Sequence, residues 1–162
     1  MTYVREPTYE VSFLFRKVLV PVDGSAASVK ALDVALDFAK RYGSRVTVMI
    51  ANDGSVGDVN SIVEGIEAKA RGAGVRVKIM VTDVDIGLES AASKILEVIE
   101  EGDYDLVVLS ARGRSANPEV NIGSVALSVI VNTDLRNADK VIRLKHLTGA
   151  VLPERPENRR FI

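Results

Sequence analysis

The sequence predicts an open α/β fold, a parallel five-stranded sheet in the order 3-2-1-4-5 with helices on both faces. Three observations point there. Short apolar segments alternate with segments whose apolar residues recur every three to four positions, the rhythm of right-handed crossover units on a parallel sheet. The segments 17–22 (KVLVPV) and 105–110 (DLVVLS) are apolar almost throughout, as strands covered on both faces must be. Turn residues close the first two strands, Asp23-Gly24-Ser25 and Asn52-Asp53-Gly54-Ser55.

The first strand, 17–22, ends near Pro21, which has no N–H to give a ladder. The first helix runs over 25–42, with Val29, Leu32, Leu36 and Ala39 on one stripe. Ser25 is its expected N-cap and Gly43 its stop. The second strand is 45–51 (RVTVMIA), and Val59, Ile62, Val63 and Ile66 mark a second helix that ends near Gly72 and Gly74. Gly65 weakens that helix by about 1 kcal/mol or less relative to alanine. The third strand, 75–81 (VRVKIMV), alternates Arg76 and Lys78 with apolar residues, which suits a wet sheet edge. A third helix is expected over 88–100 with Leu88, Ala92, Ile95, Val98 and Ile99 inward. The fourth strand is 105–110. A fourth helix starts near Ser124 with Val125, Val129 and Ile130 inward, and 140–144 (KVIRL) is the fifth strand. The expected division is an N-terminal extension over 1–15, one domain over 16–147 and a charged tail over 148–162.

Composition excludes several functions. The chain has 162 residues, 47% hydrophobic and 27% charged, which suits one domain with a substantial core. Lys plus Arg is 21 against 22 for Asp plus Glu, so no basic field gathers nucleic acid or acidic lipid. There is no cysteine, and His146 is the single histidine. Disulfides, thiolate chemistry and Cys-based metal sites are therefore absent, and a histidine relay is not expected. Neither a signal peptide nor 18 consecutive apolar residues occurs, so a cytoplasmic location without membrane contact is expected.

Open parallel sheets bind ligands beyond the carboxyl ends of their strands, where the strand order reverses. Strong central strands one and four place that point at Asp23-Gly24-Ser25 and in the stretch after Ser110. That stretch carries Arg112, Gly113, Arg114 and Ser115, then Gly123 and Ser124 where a helix begins. The first amides of a helix lack intrahelical partners and can hold phosphate oxygens, with arginines nearby for charge. Ordinary capping explains Gly123 and Ser124 equally well, and Asp23 has a structural alternative as acceptor for the amides of its own turn. Neither GxxxxGK[ST] nor GxGxxG occurs. Asp83 and Asp85 lack a third ligand for a metal. No base or metal pair for catalysis is apparent, so no catalytic residue is assigned.

The segment from Lys17 through Asp23-Gly24-Ser25 closely resembles the opening strand and turn of the universal stress protein (UspA) family. The later stretch resembles that family's nucleotide motif, Gly-x2-Gly-x9-Gly-Ser/Thr, with Ser110, Gly113, Gly123 and Ser124 at the marked positions. The resemblance covers about residues 16–145, and it departs at Ser110, where the motif has glycine. It implies an adenine nucleotide alpha hydrolase-like fold and a dimeric regulator or sensor that binds ATP or a related adenine nucleotide, with Mg as companion. Pro21, Val22, Asp23, Ser25 and the backbone near Ala51 would hold the nucleoside. Ser110, Arg112, Gly113, Arg114, Ser115, Gly123, Ser124 and Val125 would surround the phosphates. A homodimer through the last strand is implied. The alternatives are a nucleotide-free interaction module, which Ser110 would mark, and a slow nucleotide hydrolase.

Overall fold

The computed structural model describes residues 15–111, 124–132 and 141–144, the last four as backbone. In order along the chain the elements are β1 (Lys17–Pro21), α1 (Ala26–Tyr42), β2 (Arg45–Asn52), α2 (Val59–Ala73), β3 (Val77–Asp83), α3 (Ala91–Gly102), β4 (Leu106–Ser110), α4 (Ser124–Asn132) and β5 (Val141–Leu144). Four strands lie in the order β3-β2-β1-β4, all parallel, and β5 hydrogen-bonds along β4 in the same sense. In the register Val18 stands opposite Val46 and Leu106, so β1 runs between β2 and β4.

Successive strand residues point to opposite faces, and both faces here are apolar. On one face Val18, Val20, Val48, Ile50 and Val108 pack beneath Leu32 and Leu36 of α1 and Ile66 of α2. On the other Leu19, Met49, Val107 and Leu109 pack beneath Ile95 and Ile99 of α3 and Val129 of α4. The double cover explains why the central strands read as apolar runs. β3 lies at the sheet edge, and its Lys78 is exposed while Val77 and Ile79 pack against the α1 and α2 side. Phe15 stacks on Phe38 with ring centroids 5.0 Å apart.

Helix ends follow local chemistry. Ser25 caps α1, its hydroxyl accepting from the Ser28 amide at 3.2 Å, and Gly43 closes the helix at φ 70°. Asp58 caps α2. The Ser61 hydroxyl donates to its carboxylate at 2.7 Å and the Asn60 amide at 3.1 Å. The Ser61 bond is the first cause that holds this carboxyl below its ordinary range. Ser90 and Ser93 form a reciprocal capping box on α3. Ser90→Ala is expected to cost about 1 kcal/mol of stability, read as a lower denaturation midpoint at unchanged slope. An unchanged midpoint would contradict a stabilising cap.

Two sequence expectations need correction. The third helix starts at Ala91, because the Ser90 cap sets its first turn. Leu88 therefore sits in the preceding turn, where its amide donates to the Asp85 carbonyl at 2.9 Å, and its side chain is 86% exposed rather than inward. On α4, Ala126 and Val129 turn to the sheet, and Val125 is 40% exposed. Among the described residues no helix is long and apolar enough to cross a membrane. Residues 133–140, His146 and the tail lie outside the described residues.

Candidate functional site

The turn after β1 is braced from within. Asp23 accepts from the Ser25 amide through Oδ1 at 2.9 Å, and the buried Ser28 hydroxyl donates to the Ser25 carbonyl at 2.9 Å while it accepts from the Asp23 amide at 3.3 Å. Gly24 takes φ +81°, and a Cβ there would come within 2.9 Å of Ile62 Cδ1, so any side chain at this position would be strained. The next amide, Val22, donates to the Met49 carbonyl at 2.8 Å and extends the β1–β2 pairing past Pro21. The position of the Asp23 carboxylate at the sheet's carboxyl end is thus set by backbone on two sides.

These ends open into a cavity of about 560 Å³. Its walls are largely apolar, with Val22, Met49, Leu109, Ile95 and Val129 among them. Most of its polar groups stand at three adjacent strand ends, and Ser28 of α1 also lines the wall. Asp23 follows β1, Asp53 and Ser55 follow β2, and Ser110 closes β4 beside Ser124, the first residue of α4. A concave apolar space with a few convergent polar groups is the usual form of a small-molecule site. Asp23 and Asp53 are the charged side chains in the described wall, both acidic.

The residues singled out by sequence divide into three groups. Pro21, Val22, Asp23, Ala51, Ser110, Ser124 and Val125 line the cavity together. Ser25 does not; it serves as the cap of α1 and as donor to Asp23. Arg112, Gly113, Arg114, Ser115 and Gly123 lie outside the described residues. Sequence reasoning passed over Asp53 and Ser55, which it read as a turn. The signal was present, since β2 also ends at the switch and its turn is polar. The wall residues Met49, Ile95 and Val129 read as core, and they are core as well. Among the described residues no cluster of three metal-ligating side chains occurs. Asp83 accepts from the Asn52 side-chain amide at 3.0 Å, and Asp85 accepts from the Gly87 amide at 3.1 Å.

Comparisons with known proteins agree with this architecture. A family model described as the universal stress protein family matches residues 14–135. Universal stress protein MJ0531 of Methanocaldococcus jannaschii is 27% identical over 132 residues, covering 74% of this chain and 78% of that one. Among solved structures, hypothetical protein MJ0577 superposes with a TM-score of 0.68 at 18% identity, over 84% of this chain and 99% of that one. A universal stress protein in complex with cAMP superposes with a TM-score of 0.63 at 20% identity, over 81% and 97%. With most of its length matched by that family model, the chain belongs to the universal stress protein family.

Proposed function

We propose that this protein binds an adenine nucleotide, ATP foremost, in the cavity at the β1–β4 switch and acts as a dimeric regulator or sensor. One observation carries the reading: Asp23, Ser110 and the first residue of α4 converge on a single apolar-walled cavity from neighbouring strand ends. An apolar slot suits a flat base, an acidic side chain suits ribose hydroxyls, and a helix start suits phosphate. The related structure holding cAMP supports the adenine class of ligand. Mg²⁺ would accompany the phosphates of ATP.

The fold reading that goes with this is the adenine nucleotide alpha hydrolase-like type, and the location is cytoplasmic. Binding without rapid turnover is the expectation, because phosphoryl transfer needs a placed attacking group and charge stabilisation that no assigned residue supplies. A dimer would form through β5, which ends the described sheet order and so offers an edge for pairing. Ser110 favours a second reading, a nucleotide-free interaction module, since a side chain stands where the family motif has glycine.

Denaturing the purified protein separates the two readings. Release of adenine nucleotide, identified by absorbance and chromatography, is expected, or saturable binding of added ATP and Mg²⁺ by protein that releases none. Neither release nor binding would leave the interaction module. Light scattering on the same preparation should give twice the chain mass, and a monomer mass would remove the dimer.

A further inference from the structure

Where β1 hands over to α1, four hydrogen bonds close a ring through three residues. The Ser25 amide donates to Asp23 Oδ1, the Ser28 amide to Ser25 Oγ and the Asp23 amide to Ser28 Oγ, while the Ser28 hydroxyl donates to the Ser25 carbonyl. Ser28 takes part in three of these four bonds. It stands three residues after the cap, where a polar side chain ordinarily reaches back to the amide of the cap residue itself. Here Asp23 already holds that amide, and Ser28 reaches two residues further, to the end of β1. Capping α1 needs no such bond, and alanine would serve the helix at this position at least as well. Ser28 is also 2% exposed, and it lines the cavity together with Pro21, Val22 and Asp23. Its hydroxyl therefore fastens this cavity wall to the first turn of a helix that is itself packed on the sheet through Leu32 and Leu36.

We propose that Ser28 is a positioning residue for the nucleotide, acting through the backbone of the 22–25 turn rather than by touching the ligand. The inference rests on the nucleotide-binding reading above and deepens it. Without the Ser28 hydroxyl the Asp23 amide loses this acceptor, and the link from strand end to helix opens. Fixing the backbone of a residue costs conformational entropy, and in the wild type folding meets that cost before the ligand arrives. In a loosened turn the ligand must meet it on binding, so affinity falls although no contact of the ligand has been removed. What Ser28 controls is the path of the backbone through Val22 and Asp23, which shapes this wall for whatever part of the nucleotide lies against it.

The test is calorimetry with AMP, and with ATP and Mg²⁺, on the full chain, beside amide hydrogen exchange. Ser28→Ala is expected to weaken both nucleotides about tenfold, the scale of reordering one residue. Ser28→Thr keeps a hydroxyl that reaches the carbonyl three residues back, and should bind within about threefold of wild type. Gly102→Ala, altered at the opposite end of the sheet, should bind as wild type does. An equal loss of affinity there would mean that binding merely follows global stability, and would overturn the proposal. Hydrogen exchange reads the turn directly. In free Ser28→Ala the Asp23 amide should exchange about tenfold or more faster than in wild type while the Val20 amide is unchanged, and bound nucleotide should restore its protection. Wild-type affinity in folded Ser28→Ala would overturn the proposal, as would Ser28→Thr binding as weakly as Ser28→Ala. Should Ser28→Ala fail to fold, free wild type decides. An Asp23 amide that exchanges as fast as the exposed Gly54 amide would show a turn that is not preformed and overturn the proposal, whereas a protected one supports it. Absence of AMP and ATP binding to wild type would overturn this proposal together with its parent, whereas binding that ignores Ser28 overturns this one alone.

Discussion

Ala51→Phe is expected to abolish nucleotide binding while the chain stays folded. Ala51 lies near the end of β2, half-buried, on the face that carries α3 and α4, and its side chain lines the cavity. A phenyl group there enters open space instead of the packed core. Phenylalanine also suits a strand, so the backbone has no reason to move. The ligand would have to share its slot with the ring. The affinity for AMP or ATP should fall about a hundredfold or more, roughly 2.7 kcal/mol. The melting temperature should stay within a few degrees, and calorimetry beside a thermal melt reads both. Wild-type affinity in a folded Ala51→Phe protein would place the nucleotide somewhere other than this cavity.

Gly102→Ala should destabilise the fold by about 1–3 kcal/mol, the range for overpacking. Gly102 ends α3, and its φ is unremarkable, so the reason is space rather than backbone conformation. A Cβ at this position would overlap the Tyr104 ring, with Cδ2 2.7 Å away. That ring is held from several sides. It is buried, it belongs to the α3 and α4 side of the core, and the Lys17 ammonium lies 4.8 Å from its centroid. Lys17 in turn donates through Nζ to the Gly102 carbonyl, and its backbone amide donates to Asp105 Oδ2 at 2.9 Å. The ring cannot swing away without releasing the clamp that joins β1 to the entry of β4. Denaturant unfolding should show a lower midpoint at a similar slope. Because Gly102 sits at the far end of the sheet from the cavity, nucleotide affinity of the folded fraction should not change. Wild-type stability would mean that Tyr104 has room to shift.

The architecture was legible because its signals are local. Apolar runs of strand length, helical stripes and turn residues each report on a few neighbouring positions, and they agree with one another along this chain. Caps were legible for the same reason: Ser25 and Gly43 act within one turn of the helix they close. Where a local pattern was ambiguous, reading failed. Leu88 keeps helical spacing with Ala92 and Ile95, yet Ser90 starts the helix after it and leaves Leu88 in solvent. Val125 keeps the same spacing as Val129, but the roll of α4 about its axis depends on what the helix packs against.

By itself the sequence determined the alternation of elements, the apolar character of β1 and β4, the absence of cysteine chemistry and the family motif around Ser110 and Ser124. Which strand ends share a cavity was decided only by the tertiary structure. Sheet order sets β2 beside β1, and so brings Asp53 and Ser55, 30 or more positions from Asp23 and from Ala91 and the wall residues after it, into the same space. It also gives Ser25 to the helix cap and withholds it from the wall. The physical reason is that local propensity acts over a few residues, whereas a cavity is made by side chains from distant segments whose meeting depends on packing both faces of one sheet.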